Sequence, residues 1–244
     1  MTSFFDEHTA HFRAVSVRWA LSALPRCDLS QLEVERARRF RSRVDAEAFV
    51  ASRQLLKVLV AICLREDPSR VVIEQRCISC GATDHGKPSV LTEEPINVSL
   101  SRSRNWIAAG VAPTEIGVDV EGADSDQALQ RVSARVLTPE ERLQVVNSSD
   151  PNKLAREYWV RKEALIKVGF GSLARMDLLD VGPDMQVPDR AANEYKGWRF
   201  IDRSQDGMSS VAVVKKSVDL KFSSGWKGVG FAVKSDTNHG KPCR

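Results

Sequence analysis

Two short stretches hold carboxylates and cations at spacings that can do chemistry. In Gly117-Val118-Asp119-Val120-Glu121, the two-residue period of an extended strand puts Asp119 and Glu121 on one face and Val118 and Val120 on the other. Two carboxylates a strand-step apart repel each other unless a cation lies between them. Hard oxygen donors on a rigid strand suit Mg2+, which takes a few carboxylates and fills its shell with water and phosphate oxygens. The same pattern also fits a half-exposed strand with a solvated acidic face. In Tyr158-Trp159-Val160-Arg161-Lys162-Glu163-Ala164-Leu165-Ile166-Lys167, helical spacing aligns Trp159, Glu163 and Lys167 in one stripe. Glu163 can complete a three-carboxylate set with Asp119 and Glu121, and Lys162 and Lys167 can neutralise a pyrophosphate beside the metal. An ordinary helix with a Glu163–Lys167 pair worth ~0.2–0.5 kcal/mol is the alternative.

A third element is Gly86-Lys87-Pro88, followed by Asn97-Val98-Ser99-Leu100-Ser101. The glycine lets backbone approach a ligand closely, the lysine beside it can meet a phosphate, and Ser99 and Ser101 offer hydroxyls at a strand end. A plain turn accounts for Gly-Lys-Pro equally well. Just ahead of it, Cys77-x-x-Cys80-Gly81 invites a zinc reading. A structural zinc site needs four ligands and only His85 is added nearby, so the pair reads as two loop thiols that shape the approach to Lys87.

The elements that must position these groups read as follows. Val15 to Leu21 is β-branched and aromatic, which predicts a first strand. Ser30 and Glu33 have capping-box spacing and open an arginine-rich helix. From Asp45 to Leu64, Phe49, Leu56, Val60 and Cys63 recur near helical period and predict a long amphipathic helix. Val71 to Gln75 reads as a strand and 76 to 88 as a loop. Ile96 to Ser99 and Trp106 to Val111 read as strands joined by a polar, arginine-bearing turn. Ala112-Pro113-Thr114 is a joint between halves, and Ile116 to Glu121 another strand. Thr138-Pro139-Glu140-Glu141 and Asp150-Pro151 each start a helix, the second running to about Val168 and stopped by Gly169 and Gly171. Strands at Asp177 to Val181, Gly197 to Asp202 and Ser210 to Val214 follow, then a Lys-, Ser- and Gly-rich tail expected to be loosely ordered. The order strand, helices, strands thus occurs twice. His85-Gly86-Lys87-Pro88 recurs as His239-Gly240-Lys241-Pro242 in the tail, a coincidence of composition.

Taken in this order, the motifs resemble those of the two-domain 4'-phosphopantetheinyl transferases, which serve carrier proteins of peptide, polyketide and lysine-pathway synthetases. That family's pattern is a Gly-Lys-Pro loop, an Asn-x-Ser-His-Ser strand, a Gly-Ile/Val-Asp-x-Glu strand and a Trp-x-x-Lys-Glu-Ala/Ser-x-x-Lys helix. The resemblance extends to Arg38-Arg39-Phe40, Arg53-Gln54-Leu55-Leu56 and Gly169-Phe170-Gly171, covering roughly residues 15 to 215. It implies an α+β fold: a pseudo-twofold pair of similar halves, each a small mainly antiparallel sheet packed with helices. Residues 1–112 would form the coenzyme A-binding half and 113–244 the half with the metal-binding strand and catalytic helix. It implies that Asp119, Glu121 and Glu163 hold Mg2+ (or Mn2+), and that Glu163 takes the serine proton directly or through a metal-bound water. Lys162 and Lys167 would act on phosphate charge, and Arg36, Lys87, Pro88, Ser99, Leu100 and Ser101 would bind coenzyme A. One departure stands out. Leu100 occupies the family's histidine position, and leucine carries neither charge nor a hydrogen-bond donor, so one phosphate contact is missing. The alternative is a coenzyme A- or carrier-binding member with weakened catalysis. Arg102 and Arg104 lie just beyond and can substitute from a longer turn.

Bulk properties agree with this. A net charge of +4 suits an acidic carrier protein or a phosphate-bearing ligand and is too weak to indicate nucleic acid. No stretch approaches the ~18 apolar residues of a membrane span, and Met1 to His8 lacks signal-peptide order. Five cysteines at irregular spacing argue against a disulfide framework. A cytoplasmic monomer that binds no nucleic acid and no membrane is expected.

Overall fold

The computed structural model describes residues 8–77, 80–83, 85–182, 194–205 and 207–222. The expected tail and its repeat of His-Gly-Lys-Pro lie outside these. β1 (Thr9–Ser16) hands over directly to α1 (Val17–Ala23), which corrects the expected strand from Val15 to Leu21. The reason is local: the Ser16 hydroxyl accepts the Trp19 amide at 3.2 Å and caps the helix, overriding the strand propensity of the run behind it. α2 (Gln31–Arg39) starts at the Ser30/Glu33 capping box, both halves of which form. α3 (Arg43–Leu64) is the long helix, and its apolar face is the centre of the first core.

β2 (Ile73–Arg76) and β3 (Lys87–Val90) pair as a small antiparallel ribbon, so Lys87 and Pro88 open a strand rather than close a loop. β4 (Asn97–Ser103) and β5 (Trp106–Ala112) form a hairpin. It is longer than the sequence suggests: Ser101, Arg102 and Ser103 are in the strand, and the turn is Arg104-Asn105, with Arg104 at φ +37°. β6 (Ile116–Gly122) is followed by α4 (Asp126–Val136), for which the sequence reading has no counterpart, and by α5 (Pro139–Val146) and α6 (Pro151–Lys167). The expected strand from Asp177 to Val181 is instead a 3-10 turn over Leu173–Leu178. The Val181 amide is satisfied by the Glu141 carboxylate at 2.9 Å, not by a strand partner. β7 (Glu194–Tyr195), β8 (Trp198–Gln205), β9 (Met208–Lys215) and β10 (Asp219–Phe222) follow.

The two four-stranded sheets run β10-β1-β5-β4 and β6-β9-β8-β7. In each, the opening strand pairs with the second strand of a later hairpin: β1 with β5, and β6 with β9. The intervening helices make the same unit twice, as expected of a pseudo-twofold α+β chain. Among the described residues, β10 from the later part of the chain runs parallel to β1 in the first sheet.

Alternation explains the layers. On β5, Ile107, Ala109 and Val111 face α3 residues such as Leu55 and Leu59, while Ala108 and Ala112 face the other sheet. On β9, Val211 and Val213 face Val160, Ala164 and Leu165 of α6, while Ala212 and Val214 turn inward. Both faces of each sheet are thus covered, which is why Trp106 to Ala112 is almost uninterruptedly apolar. No helix among the described residues is long and apolar enough to cross a membrane.

Candidate active site

The site forms where the edge strand of each sheet meets the other, β4 against β6. Three alternate serines of β4 stitch them together. Ser99 Oγ accepts the Val118 amide at 3.0 Å, Ser101 Oγ donates to Asp119 Oδ1 at 2.6 Å, and Ser103 Oγ donates to Glu121. Edge groups that would otherwise lack partners are satisfied this way.

Gly117, Asp119 and Glu121 share the face of β6 that looks at α6. A Cβ at Gly117 would stand 2.0 Å from the Ala164 carbonyl oxygen, so only glycine lets α6 seat this closely on the strand. That seating delivers the next residues of the helix to the acids. Lys167 Nζ donates to Asp119 Oδ1 and to the Val118 carbonyl, each at 2.7 Å. Asp119 is only 3% exposed. The Glu163 carboxyl is pushed up to about 7, first by burial and then by the negative charge of Asp119, with Lys167 pulling the other way and Glu121 adding to the rise. Burial raises the Glu121 carboxyl as well, opposed by its bond from Ser103. Three hard-oxygen acids gathered in a partly buried place, two of them with raised carboxyl pKa, are the donor type and charge a divalent cation relieves, so the residues fit Mg2+ in chemistry. Their oxygens do not close on one another as tightly as those of another group. Among the described residues, the ligand atoms found within 4.8 Å of one another are those of Cys77, Cys80 and His85.

Lys167 also lines a cavity of about 460 Å³ beside the acids, together with Arg36, Lys87, Pro88, Ser99, Leu100 and Ser101. Of the residues expected to meet coenzyme A, these seven line one cavity and Lys162 does not. Sequence reasoning missed Gln75 and Ser52, and met Arg53 only within Arg53-Gln54-Leu55-Leu56; all three line the cavity. A second cavity of about 390 Å³ shares Arg36, Phe49, Arg53 and Gln75 with the first and lengthens the cleft.

The cleft is strongly cationic. The guanidinium carbons of Arg36 and Arg53 each lie 5.1 Å from the Phe49 ring centroid, and that of Arg102 lies 5.3 Å from it. Burial pulls the Arg53 guanidinium down to about 10; nearby Glu33 opposes this, and Arg36 and Arg102 reinforce it. Arg53 Nε stands 3.6 Å from Glu33 Oε1, beyond hydrogen-bond reach, and Arg53 Nε and Nη1 are buried with no acceptor. A buried guanidinium with unmet donors, crowded by like charge, is built for an anion such as phosphate. Of the two candidate substitutes for the missing histidine, Arg102 lines the cavity, two residues from Leu100 on the same strand face. Arg104 is not in that lining, and its Nε lies 3.9 Å from Asp124 Oδ2.

Lys162 is a correction. It is wholly buried, away from the cleft, with Nζ 2.5 Å from Glu141 Oε2, 2.7 Å from the Val136 carbonyl and 3.1 Å from that of Met176. Helical rotation puts Lys162 about 100° from Glu163, and α5 supplies its counter-charge from the core side.

The comparisons agree with this geometry. A family model described as the 4'-phosphopantetheinyl transferase superfamily matches residues 115–207, which include β6, α6 and the acids. A phosphopantetheinyl transferase of a Thraustochytrium species is 27% identical over 214 residues, covering 78% of this chain and 72% of the relative. The 4'-phosphopantetheinyl transferase HetI of a Nostoc species is 26% identical over 202 residues, covering 80% of this chain and 82% of the relative. A 4'-phosphopantetheinyl transferase of Bacillus subtilis is 26% identical over 150 residues, covering 60% and 63%. With strand acids, a helix and a cationic cleft in the order of that family's motifs, the chain is similar to the 4'-phosphopantetheinyl transferases, and its residues 115–207 match the superfamily's model.

Proposed function

We propose that this chain transfers the 4'-phosphopantetheine group of coenzyme A to a serine of an apo acyl or peptidyl carrier protein and releases 3',5'-ADP. The observation that carries this reading is a cation-lined cavity adjoining an acid cluster, with Lys167 belonging to both. Arg36, Arg53, Arg102 and Lys87 take the phosphates of the nucleotide, and Arg102 offers the cation that Leu100 cannot. Asp119, Glu121 and Glu163 hold Mg2+, with Mn2+ as an acceptable replacement. A divalent ion held there supplies neutralising charge for the pyrophosphate.

Glu163, directly or through a water, takes the proton of the carrier serine as its Oγ bonds to the β-phosphorus. The bond from that phosphorus to the bridging oxygen breaks, and 3',5'-ADP leaves with the electron pair. Lys167 orients Asp119 and faces the anion. The nucleophile belongs to the partner, so this chain needs no nucleophile of its own. The same reading makes it a cytoplasmic monomer of secondary metabolism whose positive balance suits acidic carriers, with no role on nucleic acid or membranes.

The test is intact-protein mass spectrometry of a panel of apo carrier proteins incubated with the chain, coenzyme A and Mg2+. At least one carrier should gain one phosphopantetheinyl unit, and Asp119→Asn and Glu163→Gln should each abolish the gain while keeping the wild-type circular dichroism. Retained transfer by either variant with Mg2+ as the only metal refutes the assigned roles. No gain on any carrier, with coenzyme A still bound in calorimetry, replaces the reading by that of a binding protein with weakened catalysis.

A further inference from the structure

Outside the cleft, a second group of side chains converges on the loop between β2 and β3. Cys77 Sγ, Cys80 Sγ and a ring nitrogen of His85 all lie within 4.8 Å of one another, with Cys80 Sγ 3.2 Å from His85 Nε2. The backbone makes this convergence: the Gly81 amide donates to the Cys77 carbonyl, and the Cys77 amide to the Ala82 carbonyl, each at 2.8 Å. The chain thus doubles back tightly around Cys77 and brings both sulfurs to one side. Two thiols and an imidazole are soft and borderline donors, the set that selects Zn2+ over the hard cations suited to the acid cluster. With Zn–S of ~2.3 Å and Zn–N of ~2.0–2.1 Å, tetrahedral zinc holds its ligand atoms ~3.5–3.8 Å apart, a separation inside the 4.8 Å limit met by all three atoms here.

We propose that Cys77, Cys80 and His85 bind one Zn2+ and that this ion sets the conformation of the loop ahead of Lys87. On binding, the two thiols release their protons to solvent and the neutral imidazole contributes a lone pair, so two thiolates balance the dication. Cys80 and His85 are exposed, so the fourth ligand that the sequence does not supply would be a water from solvent. The other described cysteines do not compete. Cys27 and Cys63 are buried, and burial pushes the Cys63 thiol up to about 12.

The loop is mechanically linked to the cleft. His85 precedes Gly86, whose φ of +108° and approach to Arg76 leave no room for a side chain: a Cβ would lie 2.4 Å from the Arg76 carbonyl oxygen. The Gly86 carbonyl accepts from Gln75 Nε2, and Gln75 Oε1 accepts from both Arg36 and Arg53. A metal that fixes His85 therefore fixes, through Gly86 and Gln75, two of the cations of the cavity.

Metal content of the full chain, purified under reducing conditions and supplied with Zn2+ and then gel-filtered, tests the site. Wild type should retain one zinc per chain, Cys77→Ser and Cys80→Ser should lose it, and Asp119→Asn should keep it. Wild type loaded with Co2+ instead should show a sulfur-to-cobalt charge-transfer band, a readout that depends on no variant folding. Wild type holding no more zinc than Cys80→Ser, zinc lost with Asp119→Asn, a cobalt spectrum without sulfur character, or a Cys77–Cys80 disulfide in place of metal would each overturn the site. The link to the cleft rests on the coenzyme A reading above. There, Cys80→Ser should weaken coenzyme A severalfold in calorimetry, and an unchanged affinity would remove the link while leaving the zinc site standing on its metal content.

Discussion

Replacing Lys162 by methionine distinguishes a phosphate-binding lysine from a core one. The side chain is fully buried, and its three N–H donors are all engaged, by Glu141, Val136 and Met176. Burial lowers the pKa of its ammonium, and Glu141 opposes that, so the charge persists because its partner does. Methionine fills much of the same volume but leaves the Glu141 carboxylate, itself unexposed, with only the Thr138 and Val181 amides. Breaking a buried pair from one side costs ~3–5 kcal/mol, a large part of the ~5–15 kcal/mol that a domain possesses. At ~2–4 °C per kcal/mol for a chain of this size, the melting temperature should fall by roughly 6–20 °C. Urea titration followed by circular dichroism measures the loss. Calorimetry well below the transition should then find coenzyme A affinity close to wild type. Combining Lys162→Met with Glu141→Gln should recover part of the stability, because a neutral amide needs no counter-charge. A Lys162→Met protein with the wild-type urea midpoint and abolished coenzyme A binding would refute this account.

Two further outcomes follow from the cleft and the acids. Leu100→His restores a donor on the cavity wall; at ~1.5–3 kcal/mol for a hydrogen bond to a charged group, coenzyme A should bind roughly 10- to 100-fold more tightly. An unchanged or weaker dissociation constant in calorimetry would show that Arg102 already meets that phosphate fully. In chelator-treated protein, the folded state holds the Glu163 proton up to about 7 while the unfolded chain releases it near the ordinary glutamate value of 4.5. Stability from this group is therefore complete below the lower value and lost as pH rises through the upper one. Given partial exposure, the decline should be ~1–2 kcal/mol, less than the full shift implies. Glu163→Gln or added Mg2+ should flatten it, and urea midpoints of the chelated wild type that do not fall across that window would contradict the coupling among the acids.

The parts legible in the sequence are those decided within a few residues. The capping boxes at Ser30 and Thr138 form as their spacing dictates, and so does the Asp150-Pro151 start of α6. The alternation in Gly117 to Glu121 correctly separates a core face from an acidic one. What was illegible depends on partners far along the chain. Lys162 and Glu163 are neighbours, and only the position of α5 decides which of them the core claims. Gln75 reaches the cleft because β2 pairs with β3, and Arg53 because α3, packed on β4 and β5, lets its guanidinium donate to Gln75, neither of which a local pattern encodes. At Ser16 a single hydroxyl outweighs the strand propensity of the residues after it, and at Val181 a carboxylate from α5 takes the amide that a strand would use.

The return of β10 to the first sheet bears on how the protein is made. β1 has β5 on one side and β10 on the other, joined further by the Asp219 amide donating to the His8 carbonyl at 2.7 Å. A ribosome therefore releases almost the whole second half before the first sheet can acquire its last strand, so the first half cannot mature ahead of the second as independent domains commonly do. Until then the outer rim of β1 is an open ladder, a stage at which a chaperone or a neighbouring nascent chain has its best hold on the molecule.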